Sequence, residues 1–329
     1  MTRISSSRRR PGSRDGEAPG PSPAGTPAFA GVTLWSFILI TLIWSSTWIV
    51  IKGQLGTVPP VWSVSYRFLI AGAAMLALAR LTGASLWLGR SGFVLAMLLG
   101  TFQFVVNYSF VYASELYITS GLAAVVFALL VAPNAALARL FFGERVSGRF
   151  ILGSAVAMAG VALLFVQEVR LAPASADGVL RGLAFVLVAV LAASFANIMQ
   201  LMPAMKARPL VVMLGWAMLY GAGADALFAA AFVGPPSFDP HPTYWLGLLY
   251  LGLVASALAF WLYYRIIRAV GAAKAAYSSV LIPIVAMAIS TLVEGYRWSA
   301  LAIAGGLFVL GGLVVALGAP RAAPPPLVE

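Results

Sequence analysis

Several apolar runs of this chain carry side-chain amides at spacings suited to one face of a helix. Gln103 and Asn107 are four residues apart, with Tyr112 further along the same run, and Asn134 and Asn197 lie in two other runs. An amide among apolar groups is costly unless it is hydrogen-bonded. We therefore expect these five residues to line a cavity and bind a polar substrate, with hydrogen bonds between helices as the alternative role.

Aromatic and hydroxyl side chains accompany the amides. Trp44 lies in the middle of its apolar run, where an interfacial aromatic belt would not place it, and Thr47 follows one turn later. Trp261 and Tyr277 occupy two further runs. We expect these four residues to belong to the substrate site. Core packing for the aromatics, and a bond from Thr47 back to its own helix, remain the alternatives.

Two charged residues stand inside apolar runs, Arg67 and Asp225. Placing a charge at such depth in a membrane costs free energy, and ionisable residues found there are often functional. We expect Arg67 to have a structural or gating role, with substrate binding as the alternative, and an ion pair between the two residues is a hypothesis. Asp225 is the one carboxylate that the sequence places well inside a run, so it is the expected proton carrier.

Residue types that are missing exclude whole classes of chemistry. The chain has no cysteine and one histidine, His241, which excludes thiol nucleophiles and His-rich metal sites. It contains no H-E-x-x-H or G-x-S-x-G motif, and no phosphate-binding G-x-x-x-x-G-K-[ST] loop. We therefore expect no catalytic residue, no metal and no cofactor.

The elements that position these residues are indicated by composition. Apolar residues make up 61% of the chain and charged residues 9%, whereas soluble domains carry about 25% charge. A bilayer-spanning helix needs about 20 residues, and ten apolar runs approach that length. The predicted spans are 34–51, 60–79, 92–112, 119–141, 149–166, 179–200, 210–232, 243–264, 274–292 and 299–317.

The segments outside these runs have a different composition. Residues 1–30 combine five arginines with serine, glycine and proline, which predicts a disordered basic tail, and residues 318–329 form a second tail. With the N-terminus in the cytoplasm, 16 lysines and arginines lie on the cytoplasmic side and 4 on the other. This bias predicts that both termini are cytoplasmic. Basic residues scattered in short clusters also argue against a nucleic-acid partner.

The chain repeats itself. Residues 120–145 align without gaps on residues 270–295, so that Pro133 meets Pro283. This predicts two five-span halves, 34–166 and 179–317, with the second inverted in the membrane because five is odd. The paired prolines are expected to bend or hinge their helices, with ligand contact as the alternative. Asn134 meets Ile284 and so breaks the symmetry.

These segments resemble one known family. "LIWSSTWIVIK", "YRFLIAG", "APNAALARLFFGER" and "LIPIVAMAISTLVEG" are similar, in this order, to motifs of the ten-helix EamA branch of the drug/metabolite transporter superfamily. The resemblance covers about residues 34–317 and implies an alternating-access transporter, often an exporter, in the bacterial inner membrane.

The resemblance and the predicted site together suggest a function. We expect a secondary transporter of a small polar metabolite, such as an amino acid or a related compound, with the lipid bilayer as its other partner. An intramembrane enzyme and a membrane sensor are the rival interpretations. The sequence leaves a homodimer open.

Overall fold

A computed structural model describes residues 27–143, 147–171, 176–270, 275 and 278–317. The described residues form a bundle of helices, which we number α1 to α10. Their bounds are α1 Pro27–Lys52, α2 Pro60–Leu81, α3 Gly89–Ser114, α4 Ser120–Phe142, α5 Gly148–Leu171, α6 Ala176–Met199, α7 Leu210–Phe232, α8 Pro242–Val270, α9 Ser278–Val293 and α10 Ala300–Leu317. A single turn, Pro203–Lys206, connects α6 to α7.

Eight of these helices, α1 to α8, are long and apolar enough to cross a membrane, while the apolar parts of α9 and α10 are shorter. The predicted all-helical membrane protein is therefore confirmed, and the full set of ten spans stays a prediction. The predicted ninth span begins at residue 274, outside the described residues. Both predicted tails also lie largely outside them, except that α1 begins at Pro27 rather than at residue 34.

Local sequence explains where several helices begin and end. Proline at the first helical position starts α2 and α8, where its missing N–H costs nothing. The Thr119 hydroxyl caps α4 by accepting a bond from the Leu122 N–H. Gly143 ends α4 in the left-handed conformation, at φ 68°, which glycine adopts without strain. The adjoining Glu144 and Arg145 lie outside the described residues.

Two helices contain a π-helical segment at corresponding positions of the two predicted halves. The segment in α3 runs from Gly100 to Val106, and the segment in α8 runs from Tyr250 to Leu258. Their first residues are therefore 150 positions apart, which is the offset of the repeat. A glycine in each segment packs on the second helix of the other half. A Cβ on Gly100 would lie 2.6 Å from the Ala217 carbonyl oxygen, and one on Gly252 would lie 3.1 Å from that of Arg67. π segments recur at functional sites.

The outer pair of helices, α5 and α10, packs through glycines. Gly153 and Gly160 face Gly312 and Gly305 in antiparallel register, with no room for a Cβ on any of the four. The seven-residue spacing within each helix puts both of its glycines on one face, and small residues on one face let helices pack closely. Away from this pair, helices α1, α3, α4, α6, α8 and α9 surround a central cavity.

The paired prolines behave differently in the two halves. A 3-10 turn, Ala128–Leu130, interrupts α4 and ends three positions before Pro133, whereas α9 continues as one helix through Pro283. The removed hydrogen bond near Pro133 accounts for the tighter turn. The expected local distortion is therefore seen at one proline of the pair.

Candidate functional site

The central cavity has a volume of about 90 Å³, measured as the space open to the centres of water-sized molecules. That is room for several waters rather than a large metabolite. Its walls come from both predicted halves of the chain. The described residues that line it are Trp44, Thr47, Trp48, Ile51, Gln103, Asn107, Tyr108, Val111, Ala124, Phe127, Ala128, Leu130, Ala193, Asn197, Phe260, Tyr263, Ile282 and Pro283.

The polar side of the cavity is built on α3. Gln103 and Asn107 are buried on one face, as their spacing predicted. The Gln103 side-chain oxygen accepts a bond from the Tyr264 hydroxyl at 3.0 Å, and the Asn107 amide nitrogen donates to the Gln103 backbone oxygen at 3.3 Å. The Asn107 side-chain oxygen has no partner among the described residues. A buried acceptor without a donor is costly, so this oxygen is suited to a ligand N–H or O–H.

The aromatic side of the cavity joins α1 to α8 and α4. The Trp44 indole N–H donates to the Ala255 backbone oxygen at 3.2 Å, and its ring lies 4.8 Å from that of Tyr263. The ring of Trp48 meets Phe127 at 5.5 Å. Thr47 lines the cavity, but its hydroxyl is bonded to the Ile43 carbonyl oxygen of its own helix. The aromatic groups therefore provide flat apolar walls that would hold a planar or aliphatic part of a ligand.

Five of the nine predicted substrate residues line the cavity, together with one of the two prolines. The five are Trp44, Thr47, Gln103, Asn107 and Asn197, and the proline is Pro283. Tyr277 lies outside the described residues. The remaining three, together with Pro133, are described but lie outside the lining.

The physical reasons for these exceptions differ. Asn134 lies one turn beyond Leu130 on the same face of α4, so the cavity has already ended there. Tyr112 is fully buried beyond Val111, where its hydroxyl donates to the Gln54 side chain at 3.1 Å. Trp261 lies on the other side of α8, under the guanidinium of Arg265 at 4.6 Å from its ring centroid. These three residues therefore do not line the cavity in this conformation, and their role in substrate binding stays a prediction.

The predicted helix-to-helix role of Asn134 is not seen either. Its side chain is buried, yet neither its amide nitrogen nor its oxygen has a partner among the described residues. An amide left without bonds in an apolar setting destabilises the conformation that buries it.

Arg67 lies behind the cavity wall and does not pair with Asp225. Its Nε donates to the Ser256 hydroxyl at 2.8 Å, and its guanidinium carbon stands 4.4 Å from the ring centroid of Tyr108, which lines the cavity. One carboxylate oxygen of Asp225 accepts a bond from the Ser109 hydroxyl at 3.1 Å, and the other has no partner among the described residues. The hypothesis of an Arg67–Asp225 ion pair is therefore wrong in this conformation.

Five aromatic residues of the lining and one buried carboxylate are not among the predicted site residues. The aromatic residues are Trp48, Tyr108, Phe127, Phe260 and Tyr263. The spacing of Trp48 from Trp44 was a usable signal, whereas the run "FWLYY" gives no means of choosing a face. The carboxylate is Glu115, which is fully buried. Asp225 is therefore not the sole candidate proton carrier.

Polar contacts close the bundle at both ends of the cavity. At one end, Lys52 of α1 donates to the backbone oxygens of Glu115 and Ile118. At the other end, Arg268 of α8 donates to the side-chain oxygen of Gln200 and to the backbone oxygens of Met205 and Arg208. The two ends are opposite because α1 and α8 run antiparallel, with Gln54 bonded to Tyr244 near the start of α8. The cavity thus lies between two sets of hydrogen bonds that connect different helices.

Comparison with known proteins agrees with this architecture. The chain is 25% identical over 290 residues to a "Probable amino-acid metabolite efflux pump" of Salmonella typhimurium, covering 84% of this chain and 92% of that protein. It is 28% identical over 280 residues to an "Uncharacterized inner membrane transporter YedA" of Escherichia coli K12, covering 84% and 88%. A crystal structure 21% identical matches with a TM-score of 0.64, covering 87% of this chain and 97% of that chain, which supports the fold alone.

The several apolar helices and the relatives called inner membrane transporters support a multi-pass inner membrane protein. A model of the EamA-like transporter family matches the chain twice, over residues 31–166 and 180–318. Because these matches cover most of the sequence, the chain belongs to the EamA-like transporter family.

Proposed function

We propose that this transporter carries a small polar metabolite, an amino acid or a related compound, outward by alternating access between two inverted five-helix halves. The observation that carries the substrate proposal is the unpartnered side-chain oxygen of Asn107 in a cavity walled by aromatic rings. The oxygen would accept an N–H or O–H of the ligand, and the rings would hold its apolar part. None of the described lining residues is charged, which favours a neutral or zwitterionic ligand over a cation.

Two features support the alternating-access part of the proposal. The π segments begin at positions 150 apart, and each packs a glycine on the second helix of the other half. The cavity lies between two closures, each of which includes hydrogen bonds from one basic side chain to backbone oxygens. Similar inverted halves can exchange conformations, opening one closure while the other stays shut. The small cavity then belongs to a closed conformation that widens when substrate enters.

Export of an amino acid or related compound is supported by the name of one relative, the "Probable amino-acid metabolite efflux pump" of Salmonella typhimurium. The family and the names of the relatives also point to a transporter rather than an enzyme. Purified protein in proteoliposomes tests this directly. Saturable flux of an unmodified amino acid is expected, and formation of a chemically altered product without flux would favour the enzyme.

We expect Asn107→Ala to weaken substrate binding about two- to twelvefold, because one hydrogen bond contributes about 0.5–1.5 kcal/mol. The measurement is the shift in thermal unfolding of the purified protein across a metabolite library. Asn134→Ala is the matched control, since it removes another buried amide without a partner, but one outside the cavity. Equal loss of ligand stabilisation in both variants would contradict the site.

We propose Asp225 as a coupling residue, since it is buried in α7 with one carboxylate oxygen lacking a partner among the described residues. Asp225→Asn keeps the shape of the side chain but cannot release a proton. We expect flux in proteoliposomes to lose its dependence on an imposed pH gradient. Unchanged proton-dependent flux in this variant would remove Asp225 from the coupling mechanism.

A further inference from the structure

A polar cluster closes the bundle where α1, α3, α4 and α9 meet. We call it the Lys52 cluster, and it consists of Lys52, Glu115, Ser120, Ser290 and Glu294. Lys52 bonds to the backbone of the α3–α4 connection. The Glu294 carboxylate accepts bonds from the hydroxyls of Ser120 and Ser290, both at 2.5 Å, and from the Ser120 N–H at 3.3 Å. The cluster therefore joins helices of both predicted halves at the end of the cavity where Lys52 lies.

The two carboxyl groups of the cluster have opposite environments. Glu294 accepts three hydrogen bonds, so both of its carboxylate oxygens have partners. Glu115 is 0% exposed, and neither of its side-chain oxygens has a hydrogen-bond partner among the described residues. Lys52 bonds to the backbone oxygen of Glu115 rather than to its carboxylate. A charged group buried in this way is far more costly than a neutral one.

We propose that the Glu115 carboxyl is a proton-binding site that controls this closure, holding its proton while the Lys52 cluster is closed and releasing it when the cluster opens. The proton passes to the water that enters at this end, and the carboxylate is then hydrated. This inference concerns the conformation of the protein and does not depend on the identity of the substrate.

The charged and titratable groups around Glu115 give the direction of the pH effect. Lys52 of α1 and Arg67 of α2 favour its charged form, whereas Glu294 beyond α9 disfavours it, and Tyr112 of α3 also interacts with it. Burial outweighs these charges and raises the pKa of Glu115, which follows the membrane-spanning part of α3, well above its usual range.

The sign of the effect follows from this direction. Because the closed state binds the proton more tightly than an open, hydrated state does, acidic pH stabilises closure. Raising the pH above the usual pKa of a glutamate progressively favours opening, until the raised pKa of the closed state is passed. Each unit of difference between the two pKa values changes the opening equilibrium about tenfold.

The absence of native cysteine allows a direct test with single-cysteine reporters in full-length protein in lipid nanodiscs. Val111→Cys reports opening, because Val111 is buried one turn before Glu115 and lines the cavity. Leu116→Cys, at a position 52% exposed, corrects for the pH dependence of the thiol itself. We expect the ratio of their maleimide labelling rates to rise about tenfold or more between about pH 5 and about pH 8.

Variants of the two carboxyl groups assign the effect. Glu115→Gln should keep the ratio low at every pH, while Glu294→Gln should retain the rise. Glu115→Met is a second neutral variant, for use if the glutamine variant does not fold. Its apolar side chain leaves no buried polar atom without a hydrogen bond. Three results would each overturn the proposal. The labelling ratio could be independent of pH in the protein that keeps Glu115, or it could still rise with pH in the Glu115 variants. The Glu294→Gln variant could also lose the rise as completely as the Glu115 variants do.

Discussion

Gly312→Ala is expected to destabilise the protein severely, whereas Gly311→Ala, one residue earlier on the same helix, is expected to be tolerated. A Cβ at Gly312 would lie 2.4 Å from the backbone nitrogen of Ala157 and 2.5 Å from the carbonyl oxygen of Gly153. Both atoms belong to the backbone of α5 and cannot move without separating the helices. A Cβ at Gly311 meets nothing within 4 Å.

Overpacking of a well-fitted interior costs about 1–3 kcal/mol, and we expect the upper end here because backbone opposes the new methyl group. The measurement is thermal unfolding in detergent, together with the yield of monodisperse protein. Gly311→Ala should resemble the unchanged chain in both. Equal behaviour of the two variants would mean that the glycine contact between α5 and α10 does not limit stability.

Arg67→Met is expected to reduce substrate flux at least about tenfold while changing stability little. The guanidinium joins α2 to the π segment of α8 through Ser256 and supports Tyr108 in the cavity wall. A hydrogen bond from a charged donor contributes about 1.5–3 kcal/mol, which corresponds to tenfold or more if the transporting conformation needs it.

Stability responds differently because two effects oppose each other. The substitution removes the Ser256 bond and the ring contact, but it also removes a fully buried charge whose Nη1 has no partner among the described residues. Replacing an incompletely satisfied buried charge by an apolar side chain of similar size is often neutral or stabilising.

Flux in proteoliposomes and thermal unfolding separate these two effects. Arg265→Met is the matched control, since it removes an arginine that contacts the ring of Trp261 outside the cavity lining. Near-normal flux is expected there. A similar loss of flux in both variants would contradict a specific role for Arg67.

The contrast between Asn107 and Asn134 shows how far sequence could predict the site. Both are amides in apolar helices, and both are buried with an unpartnered oxygen. Only Asn107 lines the cavity, because Leu130 already forms its limit on the face of α4 that carries Asn134. Helical spacing predicts the face on which a residue lies. It does not predict the depth at which a cavity ends.

Glu115 illustrates a second limit. In the sequence it is one acidic residue in a short connection, where solvent exposure is the usual expectation. In the fold, the ends of α1, α4 and α9 converge on that connection and bury it. Its environment is made by residues more than 60 positions away, such as Lys52, which no local pattern predicts.

The sequence by itself determined the membrane-helix character, the internal repeat and the family, because hydropathy, repetition and short motifs are properties of consecutive residues. The glycine contact of α5 and α10 was also readable, since small residues seven apart share a face. Only the tertiary structure decided which polar groups line the cavity and which ones form hydrogen bonds at its ends. It also decided which buried polar atoms have no hydrogen-bond partner among the described residues. Those outcomes depend on the distances between helices that are far apart in the chain, and on the π and 3-10 turns that alter their register.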